Sequence, residues 1–148
     1  MLQLSSEYGR GNASFEAAGG EAGIRKLIDD FYNCMRDNPD YQTIWDWHPS
    51  SGEDDANLKQ ESREKLARFL CGWMGGPRLY QEKYGEIQIP RVHMHLKVTA
   101  VEKEMWLSCM RDALDMQDYK ASFKTYLIEQ LSKPAEMIRQ VCSNADST

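Results

Sequence analysis

The residues able to do chemistry in this chain are few. Histidine occurs three times, as His48, His93 and His95. The His93-Met94-His95 spacing would put two imidazoles on one face of a strand, where they could share a metal ion. On a helix the same two rings point about 200° apart and cannot. The surrounding sequence favours a helix, so each histidine is read singly, as a lone ligand or as a surface or hydrogen-bonded residue. The four cysteines, Cys34, Cys71, Cys109 and Cys142, are widely spaced and form no CxxC pair. That pattern suits reduced thiols rather than a disulfide scaffold. Cys71 lies in the apolar Phe69-Leu70-Cys71 run and Cys109 on an apolar helix face, where thiols are inert packing groups. No nucleophile elbow marks a serine hydrolase, and Gly75-Gly76-Pro77 lacks the Lys-Ser or Lys-Thr of a phosphate loop.

The elements that must position these groups read as helices. Ile24, Leu27, Ile28, Phe31, Tyr32 and Met35 recur at i, i+3, i+4, i+7, i+8 and i+11, one apolar stripe that begins after Gly19-Gly20 and ends by Pro39. The connector 41–49 (YQTIWDWHP) is unusually aromatic, and 50–55 (SSGEDD) is an acidic loop. A second helix is expected over 57–74, with Leu58, Leu66, Phe69, Leu70 and Trp73 on one side, stopped by Gly75-Gly76-Pro77. A short amphipathic turn covers 79–84. Thr99 with Glu102 forms a capping box opening a third helix, whose broad buried face holds Val101, Met105, Trp106, Cys109, Met110, Ala113 and Leu114. A last helix over 119–142 carries Tyr119, Phe123, Tyr126, Leu127, Leu131, Ile138 and Val141, with Pro134 expected to kink or divide it. Only Ile87-Gln88-Ile89 alternates like a strand, too briefly to count. The fold class is all-α.

Composition sets the bounds. A chain of 148 residues, 41% hydrophobic and 28% charged, suits one domain with its own core. Residues 1–12 are expected to form a loose arm, 13–142 the domain and 143–148 a tail. A formal charge of −5 disfavours nucleic acid and anionic membrane as partners. With no signal-like or membrane-length apolar run, a cytoplasmic protein is expected. Trp45, Trp47, Trp73 and Trp106 with Tyr32 serve either a core or a cofactor pocket. Helical walls, an isolated imidazole and flat aromatic surfaces permit a haem pocket without proving one.

The resemblance is carried by segments in a fixed order. They are Gly19-Gly20-Glu21-Ala22-Gly23-Ile24, Phe31-Tyr32, 44–49 (IWDWHP) and Ser62-Arg63-Glu64-Lys65-Leu66. Then come 69–77 (FLCGWMGGP), Leu79-Tyr80 with Lys83-Tyr84-Gly85, and 102–111 (EKEMWLSCMR). Over residues 15–114 the chain resembles the truncated haemoglobins, specifically group II, which carry a tryptophan in the distal pocket. The Gly-Trp-x-Gly-Gly-Pro and Trp-Leu-x-Cys-Met-Arg segments are the most specific. The resemblance implies a two-over-two helical globin that binds protohaem (haem b) and reversibly binds dioxygen and other diatomic ligands at ferrous iron.

It also implies roles. Gapless counting forward from Gly75-Gly76-Pro77 and backward from Trp106 puts His93 at the proximal, iron-ligating position; placing His95 there requires compensating gaps. Tyr32 and Trp106 match the family's distal donors, suited to a ligand atom that carries partial negative charge. His48 falls where a third donor can stand, and Ser62 and Leu66 match positions that set polarity and access. Two or three neutral bonds of about 0.5–1.5 kcal/mol each would slow ligand escape. Lys65 is a candidate partner for a haem propionate; Phe69, Tyr80 and Val98 are candidate cofactor-lining residues. A solvated cation and a packed aromatic are the plain alternatives for Lys65 and Tyr80.

Departures from the family pattern are also legible. Glu86-Ile87 replaces the His-Pro after Gly85, Val92 stands where a basic residue usually precedes the proximal histidine, and His95-Leu96 replaces the following Pro-Phe. About seven extra residues lengthen the corner over 50–60, an insertion that loops tolerate. A redox role, converting nitric oxide to nitrate or consuming peroxide with an external reductase, is the rival reading; a haem-free interaction module is a third. The protein is expected to be a monomer or homodimer.

Overall fold

A helix with one apolar stripe needs a partner for that stripe, and the core grows from the longest such pairings. The computed structural model of the protein describes residues 8–48, 58–86 and 98–146, with side chains to 140. All regular elements among them are helical. Helix α1 is Ala13–Ala17 and α2 is Gly20–Asp37. A 3₁₀ turn, Pro39–Tyr41, leads into the short α3, Gln42–Trp47. Then follow α4, Gln60–Trp73; α5, Leu79–Tyr84; α6, Ala100–Asp115; and α7, Ala121–Asp146.

The α2–α4 pair lies over the α6–α7 pair, with α2 against α6 joining the layers. This is the two-over-two helical sandwich, all-α as expected. Ile24, Leu27, Ile28, Phe31, Tyr32 and Met35 of α2 are all buried. At about 1.5–3 kcal/mol for each fully buried large side chain, this stripe is the main source of cohesion. Arg25 of α2 grips Glu64 of α4 through two hydrogen bonds of 2.8 and 3.1 Å, with Arg68 on the same carboxylate. The α6 capping box is present: the Thr99 side chain accepts from the Val101 amide at 3.2 Å and the Glu102 carboxylate from the Thr99 amide at 2.9 Å.

The Gly-Gly turn after α4 has a second purpose beyond stopping the helix. A Cβ on Gly75, which sits at φ 93°, would lie 1.9 Å from the Gly11 carbonyl oxygen. One on Gly76 would lie 2.4 Å from the Phe15 ring. The turn is therefore the seat of α1, whose Phe15 amide donates to the Met74 carbonyl at 3.0 Å. The chain ahead of α1 is also docked at its described end. Tyr8 hydrogen-bonds to Ser122 at 2.6 Å and lies against Phe123 and Tyr126 at 5.2 Å each; residues 1–7 of the expected arm lie outside the described residues.

Four further expectations are revised. Leu58 precedes α4 and is 49% exposed, because the buried face of α4 is turned toward α2 and runs through Ser62, Arg63, Ala67, Leu70 and Cys71. Val101 is 65% exposed, and Leu107 is buried further along α6. The connector after Pro39 is helical, with Tyr41, Ile44 and Trp45 in the core. Of the kink or division expected at Pro134, α7 shows no division. The proline's missing N–H frees one carbonyl on a partly solvated face, and the Ser132 hydroxyl supplies a neighbouring donor to the Glu129 carbonyl at 2.6 Å.

Candidate functional site

The polar group set deepest in the core is the Tyr32 phenol. Its residue is 2% exposed, because the apolar period of α2 turns position 32 inward at the α2–α4–α6 junction. The Oη donates to the Ser62 carbonyl of α4 at 3.4 Å, longer than the 2.5–3.0 Å of a well-made O–H···O bond. Burial raises the phenol pKa, opposed in part by the Arg63 guanidinium 5.5 Å over the ring. The hydroxyl therefore keeps its proton and remains a donor.

Around Tyr32 the rings meet edge to face. Phe31 stands 5.4 Å from Tyr32 and 5.1 Å from Trp106 of α6, so its ring touches both expected donors. His48, just past α3, meets Tyr32 at 5.2 Å. Its Nδ1 lies 2.7 Å from the Ile44 carbonyl, which can only accept, so Nδ1 carries the proton. Any donation from His48 to a guest would therefore come from Nε2. Ser62 is buried and contributes its carbonyl to Tyr32; Leu66 is half-buried one turn on.

The opposite end of α4 carries a chain of rings. Phe69 stacks on Trp73 at 6.5 Å and meets Tyr80 of α5 edge-on at 6.5 Å, and Tyr80 lies 4.9 Å from Tyr84. Exposed Lys65 holds its Nζ 5.5 Å over the Tyr84 ring, and Lys83 lies 5.3 Å from the same ring. The Oη of Tyr84 is buried and has no hydrogen-bond partner among the described residues. Val98 is half-buried ahead of the α6 cap. His93 and His95, with Pro90 and Val92, lie outside the described residues, as does the acidic stretch 49–57.

Sequence reasoning missed Arg63, Lys59 and Tyr84. Arg63, only 5% exposed, donates to the Leu58 carbonyl, to the Asp29 carbonyl and carboxylate at 3.3 Å each, and to Asn33 at 2.9 Å. Its acceptors on α2 lie about thirty positions away in sequence, and no local pattern announces them. Trp45 is 7% exposed beneath Lys59, and Trp47 is half-buried against the core.

Two helical layers around a buried tyrosine are the arrangement of a truncated globin, and comparison with known proteins agrees. Residues 13–140 match the family model for bacterial-like globins. The chain is 31% identical over 130 residues to group 2 truncated haemoglobin YjbI of Bacillus subtilis (strain 168), covering 87% of this chain and 90% of that protein. Among solved structures, a cold-adapted truncated haemoglobin from the Antarctic marine bacterium Pseudoalteromonas haloplanktis TAC125 superposes with a TM-score of 0.75 at 26% identity, over 84% of this chain and 94% of its own. A truncated oxygen-avid haemoglobin from Bacillus subtilis gives a TM-score of 0.70 at 27% identity, over 84% of this chain and 96% of its own. The chain belongs to the bacterial-like globin family, in its group II truncated haemoglobin branch.

The family binds haem, and two features of this chain fit that group. Leu66, Phe69 and Trp73 form an apolar i, i+3, i+7 stripe on α4 that stays half-buried while Ser62 and Arg63 on the same helix are buried. A flat apolar cofactor suits such a stripe. At its edge, the unpartnered buried Tyr84 hydroxyl beside Lys65 suits a carboxylate. No described helix is long and apolar enough to cross a membrane.

Proposed function

We propose that the protein holds haem b through His93 and reversibly binds dioxygen and other diatomic ligands at ferrous iron. The haem would supply the metal centre and its redox chemistry; the chain supplies everything that selects and holds the ligand. Tyr32 and the Trp106 indole are the donors toward partial negative charge, with Ser62 and Leu66 bounding the pocket. Phe69, Tyr80 and Val98 line the cofactor, and Lys65 takes a propionate. The observation that carries this reading is the Tyr32 phenol, buried and protonated yet satisfied only by a 3.4 Å bond. A buried hydroxyl with so poor an internal partner has donor capacity left for a guest. The oxygen avidity of the Bacillus subtilis haemoglobin supports the same reading.

Absorption spectra of the ferric, ferrous and ferrous carbon monoxide forms test it. A Soret band that shifts at each step is expected; a chain that stays colourless after haem addition refutes it. Replacing His93 with alanine should abolish stable haem retention, whereas replacing His95 should leave it largely intact. The reverse pattern would move the ligand to His95. For the redox alternative, multiple turnovers of nitric oxide or peroxide with an external reductase are the discriminating result.

A further inference from the structure

Arg63 is a cation where a cation is disfavoured twice. It is 5% exposed, although arginine is almost never fully buried unless paired. It also stands in the first turn of α4, where the helix dipole already presents positive charge. Local preference does not put it there; its contacts across to α2 do. The guanidinium donates to three neutral acceptors, the Leu58 and Asp29 carbonyls and the Asn33 side chain. The carboxylate it meets among the described residues is that of Asp29, at 3.3 Å. A tight charge-assisted bond is shorter, about 2.7–2.9 Å. The Asp29 side chain is 57% exposed, so water screens the negative partner while the positive one stays buried.

The buried charge has a second neighbour. The guanidinium carbon lies 5.5 Å over the Tyr32 ring, and Tyr32 is itself 2% exposed. Between two buried groups a charge acts far more strongly than it would through water. The same ring carries the phenol whose internal bond, to the Ser62 carbonyl, is 3.4 Å long. A cation over the ring draws electron density away from the hydroxyl. The O–H becomes a stronger donor and the oxygen a poorer acceptor.

We infer that Arg63 is a positioning residue that sets ligand specificity through Tyr32: its buried charge, loosely answered by Asp29, polarises the phenol and favours ligands that gather negative charge. The selectivity rests on the ligand-pocket reading; the coupling of Arg63 to Tyr32 is a property of the polypeptide alone. Dioxygen takes up more negative charge at ferrous iron than carbon monoxide does, so the two gases report the bias.

The test starts from the full chain without haem, carrying ¹³C at the tyrosine Cζ, with Tyr32→Phe identifying the Tyr32 signal. Arg63→Met removes the charge and keeps much of the stem, whereas Arg63→Lys keeps a charge. Asp29→Asn keeps an acceptor and removes the negative partner. Arg63→Met and Asp29→Asn should move the Tyr32 signal in opposite directions, with Arg63→Lys nearer the wild type than Arg63→Met. In the haem-loaded chain, Arg63→Met should speed dioxygen release about threefold relative to carbon monoxide release, the size of a modest cation–π contribution. It should also raise the C–O stretching frequency, and Asp29→Asn should do the reverse in each. A purely structural role would loosen the α2–α4 contact in both variants and move the signals the same way. Shifts of like sign, or an Arg63→Met protein with wild-type phenol and C–O signals, overturn the inference. If Arg63→Met does not fold, Asp29→Asn decides: a lowered C–O frequency supports the inference, and an unchanged or raised one overturns it. A chain that takes up no haem refutes the ligand pocket and the selectivity with it, and the phenol signals then still decide the coupling.

Discussion

Replacing Tyr32 by phenylalanine separates a core role from a ligand-holding one. Phenylalanine preserves the ring, and with it the edge-to-face contacts to Phe31 at 5.4 Å and His48 at 5.2 Å. The lost hydroxyl made one internal bond, and at 3.4 Å to the Ser62 carbonyl that bond is weak. Removing it should change unfolding free energy by less than about 0.5 kcal/mol, below the typical value for a well-made bond. The ligand loses more. A phenol donating at normal length to a partly charged atom contributes about 1–1.5 kcal/mol, and 1.4 kcal/mol is about tenfold in a rate.

Dioxygen release, measured by stopped-flow displacement with carbon monoxide, should therefore accelerate about tenfold in Tyr32→Phe while the denaturant midpoint barely moves. The Trp106→Phe variant should also release faster. Because Phe31 touches both rings and both donors are proposed to address one ligand atom, the double variant should depart from the product of the single effects. Unchanged release with a stability loss above about 1 kcal/mol would refute the reasoning, because Tyr32 would then be a packing residue whose hydroxyl matters only to the core.

Other outcomes follow from single contacts. The Glu64 carboxyl is drawn down to about 2 by the Arg25 guanidinium first, against the cost of its burial, and by Arg68 next. Its folded value lies below its unfolded one, so its contribution is present above the ordinary glutamate range and is lost as pH falls toward about 2. Glu64→Gln should flatten that part of a stability-against-pH curve by about 1 kcal/mol, after allowance for solvent screening of the pair. Identical wild-type and variant slopes between pH 5 and pH 2 would rule this out. Gly76→Ala places a methyl 2.4 Å from the Phe15 ring, and overpacking of this kind costs about 1–3 kcal/mol. Hydrogen exchange should show the Phe15 amide losing protection before the amides of α2; equal protection in both proteins would mean that α1 yields without cost.

What the sequence made legible divides by the range of the interaction. The α2 stripe was readable because 3.6-residue periodicity is local, and the six positions it nominated are all buried. The Thr99 cap was readable for the same reason, its partners lying within three residues. The buried face of α4 was not. Its apolar residues pointed to one side, yet Ser62 and Arg63 are buried on another, because Asp29, Asn33 and the Tyr32 phenol wait there on α2. A charged residue is assigned to solvent until its distant acceptors are known. Lys59 was missed for that reason, standing in a polar stretch that reads as loop. His48 was found by type and place, but its direction of hydrogen bonding depends on whether a nearby carbonyl claims Nδ1, and spacing carries no such information.

The proposed pocket has a consequence for selectivity. Tyr32 can donate across the whole physiological range, since burial raises its pKa. Indole is a donor only. In that pocket a guest with partial negative charge would meet donors from α2 and α6. The Tyr32 proton is in place before any ligand arrives, so little reorganisation would be needed there on binding.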